Sequence, residues 1–398
     1  MSITGSWQRA ADGAGLLSPD GTIRATIFAE MSALAEATGA INLGQGFPDE
    51  DGPDEVLAAA REAIKNGMNQ YPPGRGTAEL RTAIAEHQKR FYGIELDADR
   101  EVLVTAGATE ALAATILGLV DDGDEVVTLE PFYDAYGALI SLSRGEHRTV
   151  TLRLPDFLPD HDDLRAAVTD RTRLIVINTP HNPTGAVLPL DTLELIVELA
   201  HEHDALIVTD EVYEHLVFDQ RHIPIASLPG AWERTLTISS GGKTFSATGW
   251  KIGWITGPAK LITAVLSVKQ FLTYVNGAPF QPAIATGLAL PDTFFDTIAG
   301  VLKQKRDVLS AGLSKAGLEV FPSEAGYFVV ADAAPLGYDD AVTLCRELPD
   351  LAGVVAVPIS AFCHDELAGE YSSLVRFAFC KRFEVLELAA AQLARLGR

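Results

Sequence analysis

The sequence predicts an α/β fold, with a large domain built on a mostly parallel sheet flanked by helices and a smaller α+β domain after it. Three observations support this. Short, nearly continuous apolar runs recur through the middle of the chain, helical stretches separate them, and from about residue 290 long amphipathic helices give way to short strands.

Taken in order, residues 1–50 hold one helix, ATIFAEMSALAEATG, and the turn-rich segment LGQGFPDEDGP, and are expected to pack with the small domain. Residues 51–288 form the expected large domain. Its strands are EVLVT (101–105), DEVVTL (124–129), RLIVIN (173–178), ALIVT (205–209) and RTLTIS (234–239), rich in Val, Ile, Leu and Thr as strands buried on both faces are. Between them lie the helices ATEALAATILGLV and DTLELIVELAHEHD, the latter with Asp191 as its expected N-cap. Residues 289–398 form the expected small domain, with strands GLEVF, GYFVVAD and SLVRFAF.

Composition narrows the function classes. The net charge of -23 repels polyanions, so neither nucleic acid nor an anionic membrane surface is an expected partner. The chain shows neither a secretory leader nor an apolar run long enough to cross a bilayer, and a cytoplasmic location is expected. Cys345, Cys363 and Cys380 are widely spaced without a CxxC and read as reduced, structural thiols; no metal site is expected.

Polar residues collect where the strands end, which is where ligands bind in open α/β sheets. Lys243 follows RTLTIS in SSGGKTFSATGWKIGW. A phosphate-binding P-loop would need glycine at position 237, which is Thr237. Ser240-x-x-Lys243 fits the SxxK of penicillin-recognising enzymes, yet SDN and KTG are missing. What survives is a lysine that condenses with a cofactor aldehyde as a Schiff base, set against a solvated loop lysine. Gly241 and Gly242 would let the backbone approach that cofactor.

Pyridoxal 5′-phosphate (PLP) is a cofactor with such an aldehyde, and its ring would need the partners found nearby. Asp210 of TDEVYEHL would keep its pyridine nitrogen protonated, and Tyr213 would reach its phenolic oxygen; the alternative is a helix-capping Asp beside a half-buried Tyr. Glu211 and Glu214 read as solvated or capping. Asn182 of NTPHNPTG can donate to the same oxygen, or be a plain Asn-Pro turn, and His181 beside it is not needed as a base. Gly107, Ala108 and Thr109, where a strand runs into a helix, together with Ser240 and Lys251, are candidates for the phosphate. Tyr133 of EPFYDAY could stack on the ring or belong to the core. Arg376, between Val375 and Phe377, suits a two-pronged grip on a substrate carboxylate better than a structural ion pair.

Together, LGQGFPDEDGP, NQYPPGRGTAELR, VTAGATEAL, EPFYDAY, NTPHNPTG, TDEVYEHL, SSGGKTFSATGWKIGW and VRFAFCK resemble the class I, fold-type I PLP-dependent aminotransferases, in that family's order from about residue 42 to 382. The resemblance implies the PLP-dependent transferase fold. It gives Lys243 as the Schiff-base lysine and proton shuttle, Asp210, Asn182, Tyr213 and Tyr133 around the ring, and Ala108, Thr109, Ser240 and Lys251 at the phosphate. It further implies that Tyr71 reaches the neighbouring subunit's phosphate, hence a homodimer with shared active sites, and that Gly46 assists Arg376 at the substrate carboxylate. The wording looks most like the kynurenine, glutamine and methionine aminotransferases and cysteine-conjugate β-lyases, and within them like the actinobacterial N-succinyldiaminopimelate aminotransferases. Thr109 stands where related enzymes often carry an aromatic, and SEAGYF replaces the commoner GTYF.

The expected reaction moves an amino group between an L-amino acid and a 2-oxo acid, with 2-oxoglutarate as acceptor and N-succinyl-LL-2,6-diaminopimelate as a donor. The alternatives are a kynurenine-, glutamine- or methionine-type donor, or β-elimination from a cysteine S-conjugate. A PLP-binding transcription regulator is disfavoured by the acidic balance. For a distal substrate carboxylate the candidates are Arg75 and Arg24.

Overall fold

In the computed structural model of the chain, residues 4–364 and 368–396 are described. Eight strands form the central sheet: β1 (Val102–Thr105), β2 (Glu125–Glu130), β3 (Glu146–Arg153), β4 (Leu158–Pro159), β5 (Thr172–Asn178), β6 (Leu206–Asp210), β7 (Thr235–Ser240) and β8 (Gly253–Thr256). Their spatial order is β1-β8-β7-β6-β5-β2-β3-β4. The run from β7 to β3 is parallel throughout, while β8 and the short β4 run antiparallel to their neighbours.

The apolar runs are continuous because both faces of the sheet are covered. Val126, Leu174, Val176 and Val208 enter one core, with Leu112 and Ile116 of the helix Gly107–Leu119. Val127, Ile175, Ile177 and Ile207 enter the other, with Leu193 and Ile196 of the helix Leu190–Glu202. Each such side chain contributes about 1.5–3 kcal/mol on leaving water. The helix Leu190–Glu202 starts two residues earlier than the Asp191 cap predicts: Pro189, extended at φ -71°, supplies the boundary, and the Asp191 carboxylate accepts from Thr192 N–H (2.8 Å) inside the first turn.

A second, antiparallel sheet takes the order Glu319–Val320, Phe328–Asp332, Leu374–Ala378, Val357–Pro358. The early helix Ile27–Thr38, capped by the Thr26 hydroxyl, packs on the helix Ala341–Ala352, and Ile41–Asn42 pairs with Val354–Val355. The first helix, Ser6–Gly13, departs from the expectation for residues 1–50: it lies on the helix Ala135–Ser143 beside the central sheet. Gly13 and Gly137 permit this, since a Cβ on either would collide with the other's carbonyl. Among the described residues no helix is long and apolar enough to cross a membrane.

Candidate active site

Strand register brings the polar ends together. Asn178 pairs with Asp210, and Gly253 of β8 lies between Ser240 and Thr105. The carboxyl ends of β1, β5, β6 and β7 therefore share one edge, and there a cavity of about 200 Å³ opens, lined by the last residues of β5, β6 and β7 and by the helix start that follows β1.

Lys243 lies in the short helix Gly241–Thr244, which begins where the Ser240 hydroxyl accepts from Gly242 N–H (3.2 Å). Its amine is in the cavity wall, 3.5 Å from the Gly46 carbonyl and over the rings of Tyr213 and Tyr327 (5.5 and 5.6 Å). Burial lowers its pKa, and among the described residues no carboxylate reaches it as an ion pair. The Tyr327 hydroxyl donates to the Lys243 carbonyl (2.5 Å) and fixes the turn. Of the two preceding glycines only Gly242 lines the cavity. Gly241 instead makes room for Ile284, which a Cβ there would meet at 2.8 Å.

Asp210 faces the same cavity. Burial pushes its carboxyl up to about 6, offset in part by the Tyr136 hydroxyl (2.9 Å) and Val212 N–H (3.4 Å). Tyr213, also buried, is pushed well above the usual phenol range, and Tyr133, hydrogen-bonded to Thr109, is pushed up to about 12 by burial. Both line the cavity with Asn182. Asn182 spends its side-chain carbonyl on Arg376 (3.0 Å) and its backbone N–H on Asn178 (2.7 Å), so its amide NH₂ is the group left for a ligand.

The opposite end is built for an anion. Gly107, at φ +72°, opens the helix Gly107–Leu119, and Ala108 and Thr109 follow along the cavity wall. Gly253 allows this approach, because a Cβ there would sit 2.8 Å from the Gly107 Cα. Lys251 brings its ammonium within 3.4 Å of the Thr109 hydroxyl, and Ser240 completes that side.

Arg376 is 1% exposed. Its guanidinium donates to Asn182 and to the Gly44 carbonyl (2.7 Å), and it lies against the rings of Phe328, Phe362 and Phe28 at 3.9, 4.6 and 5.4 Å. Burial lowers its pKa to about 10. Among the described residues it has no carboxylate within ion-pair reach, so the structural ion pair weighed from the sequence is not formed. Gly46 backs onto Phe328, which a Cβ would strike.

Other expectations fall outside the cavity. Tyr71 is 83% exposed, in edge contact with Tyr274. Arg75 turns away toward the Arg100 carbonyl (3.4 Å), and Arg24 bonds the Gly15 carbonyl (2.6 Å) beside a separate groove with Phe28 and Asp134. His181 is buried on Thr184 (2.8 Å). Glu211 and Glu214, read as solvated or capping, are both buried: Glu211 binds Thr209 and His222, and Glu214 accepts from Ser239. The cysteines are free thiols; Cys345 and Cys380 are buried and Cys363 half-buried.

Sequence reasoning missed Tyr136, Asn178 and Thr248. Tyr136 shares the EPFYDAY block with Tyr133, but only the direction of the helix Ala135–Ser143 turns its hydroxyl to Asp210; Asn178 is the last residue of an otherwise apolar strand.

Comparison with known proteins accords with this arrangement. The family aminotransferase class I and II matches residues 38–391. The probable N-succinyldiaminopimelate aminotransferase DapC of Mycobacterium tuberculosis H37Rv is 53% identical over 94% of this chain and 96% of its own length. The methionine aminotransferase of Escherichia coli K12 is 39% identical over 93% and 96%. Among solved structures, the N-succinyldiaminopimelate aminotransferase from M. tuberculosis superposes with a TM-score of 0.93 at 49% identity, over 99% of this chain and all of that one. A lysine and a carboxylate facing one cavity at the ends of parallel strands, in a chain that matches this closely over nearly its whole length, make it a member of the aminotransferase class I and II family.

Proposed function

We propose that this aminotransferase is PLP-dependent, with N-succinyl-LL-2,6-diaminopimelate as its preferred amino donor and 2-oxoglutarate as acceptor. The observation that carries the cofactor assignment is that the Lys243 amine and the Asp210 carboxylate face one cavity without neutralising each other. An aromatic aldehyde with a cationic ring nitrogen at one end and a phosphate at the other matches this donor set: Asp210 for the nitrogen, the Gly107–Thr109 helix start with Ser240 and Lys251 for the phosphate, and Tyr133 for the ring face. When bound, PLP supplies a carbonyl that condenses with amines and a ring that accepts electrons from the bonds at the substrate Cα.

The chain's own residues supply the rest. Burial disfavours the Lys243 ammonium and so favours the amine form, which would take a proton from the substrate Cα and deliver it to the carbon that was the cofactor's aldehyde. Tyr213 and Asn182 offer hydrogen bonds to the ring's phenolic oxygen. Arg376, with no carboxylate of its own, holds the substrate α-carboxylate, and Gly46, backed onto the Phe328 ring that Arg376 also meets, assists there. Tyr71, exposed and in edge contact with Tyr274, with Phe271 three residues before Tyr274 also 82% exposed, supports a homodimer in which it reaches the partner's phosphate. Residues 51–288 and 289–398 would be the large and small domains, with most of 1–50 on the latter.

The donor assignment rests on the 53% identity to DapC. Mixing purified enzyme with single amino acids, without acceptor, and following the cofactor's visible absorbance tests both levels. The succinylated donor should convert it fastest. Faster conversion by methionine or kynurenine would overturn the donor, and no conversion by any amino acid would overturn the aminotransferase reading.

A further inference from the structure

A second buried cluster lies outside the cavity of Lys243. His87, from the helix Ala78–Tyr92, and His215, from the segment after β6, meet at their Nε2 atoms, 2.6 Å apart. Glu214 completes the group: one ligand atom from each of the three lies within 4.8 Å of the others. His87 and Glu214 are buried and His215 is half-buried; Glu214 and His215 line a groove of about 510 Å³ that also carries His222, Asp292 and Asp296 and, opposing them in charge, Arg90 and Arg221.

We propose that His87, His215 and Glu214 form a site for one divalent transition-metal ion of the zinc class. Two imidazoles and a carboxylate are the borderline N/O donor set such ions favour, and the groove leaves a fourth position for water. Charge balance points the same way. Glu211 and Glu214 are two carboxylates buried side by side; His222 pairs with Glu211 at 2.6 Å, while Glu214 has hydrogen bonds from Ser239 and Tyr92 but no ion pair among the described residues.

In the metal-free state the imidazoles share one N–H as donor and acceptor. To hold an ion, each must carry its proton on Nδ1, so the donor ring changes tautomer with no net proton released. The nitrogens must also part to about 3.3 Å, the separation of two ligands about 2.0–2.1 Å from a tetrahedral ion. His215 lies where that movement is possible, packed on Phe295 (4.3 Å between rings) and open to the groove. The bound ion would tie the helix Ala78–Tyr92 to the segment carrying Asp210 and Tyr213. Its role is therefore a clamp behind the cavity, and no step of the reaction passes through it.

The test uses the full chain with its cofactor, stripped of metal by chelator and dialysed. Calorimetric titration with Zn²⁺ should give one equivalent bound, and the melting midpoint should rise on the order of 2–5 °C at saturation. Co²⁺ should give visible bands of an N/O site of low coordination number. His215→Gln and His87→Gln should each lower the affinity at least tenfold and remove those bands, whereas His364→Gln, in the separate His147–His364 pair, should leave both unchanged. Less than a tenth of an equivalent bound by the unsubstituted chain would overturn the proposal, as would thiolate-to-cobalt bands or unchanged binding in both glutamine variants. The titration of the unsubstituted chain stands even if a variant fails to fold.

Discussion

Two carboxylates of the central sheet are buried at opposite ends of strands that flank β5, and their surroundings could hardly differ more. Glu125 opens β2 with four partners: Arg148 (3.0 Å), Arg171 (2.5 Å) and the hydroxyls of Thr169 and Thr172. Burial works against its charge, but Thr169 and the two arginines outweigh that and hold its pKa below the usual range. Asp210 ends β6 with one phenol, one weak backbone N–H and no ion pair, and its pKa is raised to about 6. The amino edge of the sheet is thus chemically complete within the chain, while the carboxyl edge leaves charges to be met by something that binds.

The contrast can be tested from its strongest consequence downward. Lys243→Ala should lower kcat by at least ~10³-fold, because it removes nucleophile and base together, with folding intact by circular dichroism. Asp210→Asn should lower kcat by about 10²-fold and weaken cofactor retention, yet stabilise the cofactor-free protein. A carboxyl with a raised folded pKa binds its proton more readily when folded; its cost is absent below about pH 4, grows as pH rises to about 6, and stays in full above. Two pKa units correspond to roughly 3 kcal/mol, so cofactor-free Asp210→Asn should unfold at higher urea than unsubstituted protein at pH 8, by about 1–3 kcal/mol, with no gain at pH 4. Equal stability at pH 8 would show that Asp210 carries no such burden.

Tyr136→Phe should cost only about 10-fold in kcat, since one hydrogen bond to the Asp210 carboxylate is lost while the Val212 N–H remains. Glu125→Gln should leave kcat within about twofold while lowering stability by about 1–2 kcal/mol, its arginine partners being half-solvated. Its sign is opposite to that of Asp210: a lowered folded pKa stabilises above about pH 4.5, so the difference between Glu125→Gln and the unsubstituted chain should shrink as pH falls. A large loss of kcat in Glu125→Gln would break the division between the two edges.

The sheet strands and the residues at their ends are legible in the sequence because apolar runs and turn chemistry are local. Lys243, Asp210, Asn182 and Ser240 reach the cavity for that reason: each ends, or closely follows, a strand of the shared edge. What was not legible depends on partners distant in sequence. Glu211 and Glu214 look like surface acids until His222, Ser239 and the folded turn enclose them. Arg75 looks like a pocket cation until the Arg100 carbonyl claims it. Tyr136 is identified only by the direction its helix points it, and Asp191 fails as a cap because Pro189 starts the helix first.

The aromatic box around Arg376 has a kinetic consequence. Its three rings and two neutral oxygens secure the guanidinium without cancelling its charge, so a local attraction for carboxylate persists inside a molecule whose overall field repels anions. Capture of an anionic substrate then has two opposed parts: a long-range barrier set by the charge of -23, which added salt screens, and a short-range pull, which salt barely reaches because the guanidinium is buried. Association should quicken with ionic strength while the grip of the bound carboxylate stays nearly constant, the reverse of ordinary electrostatic steering.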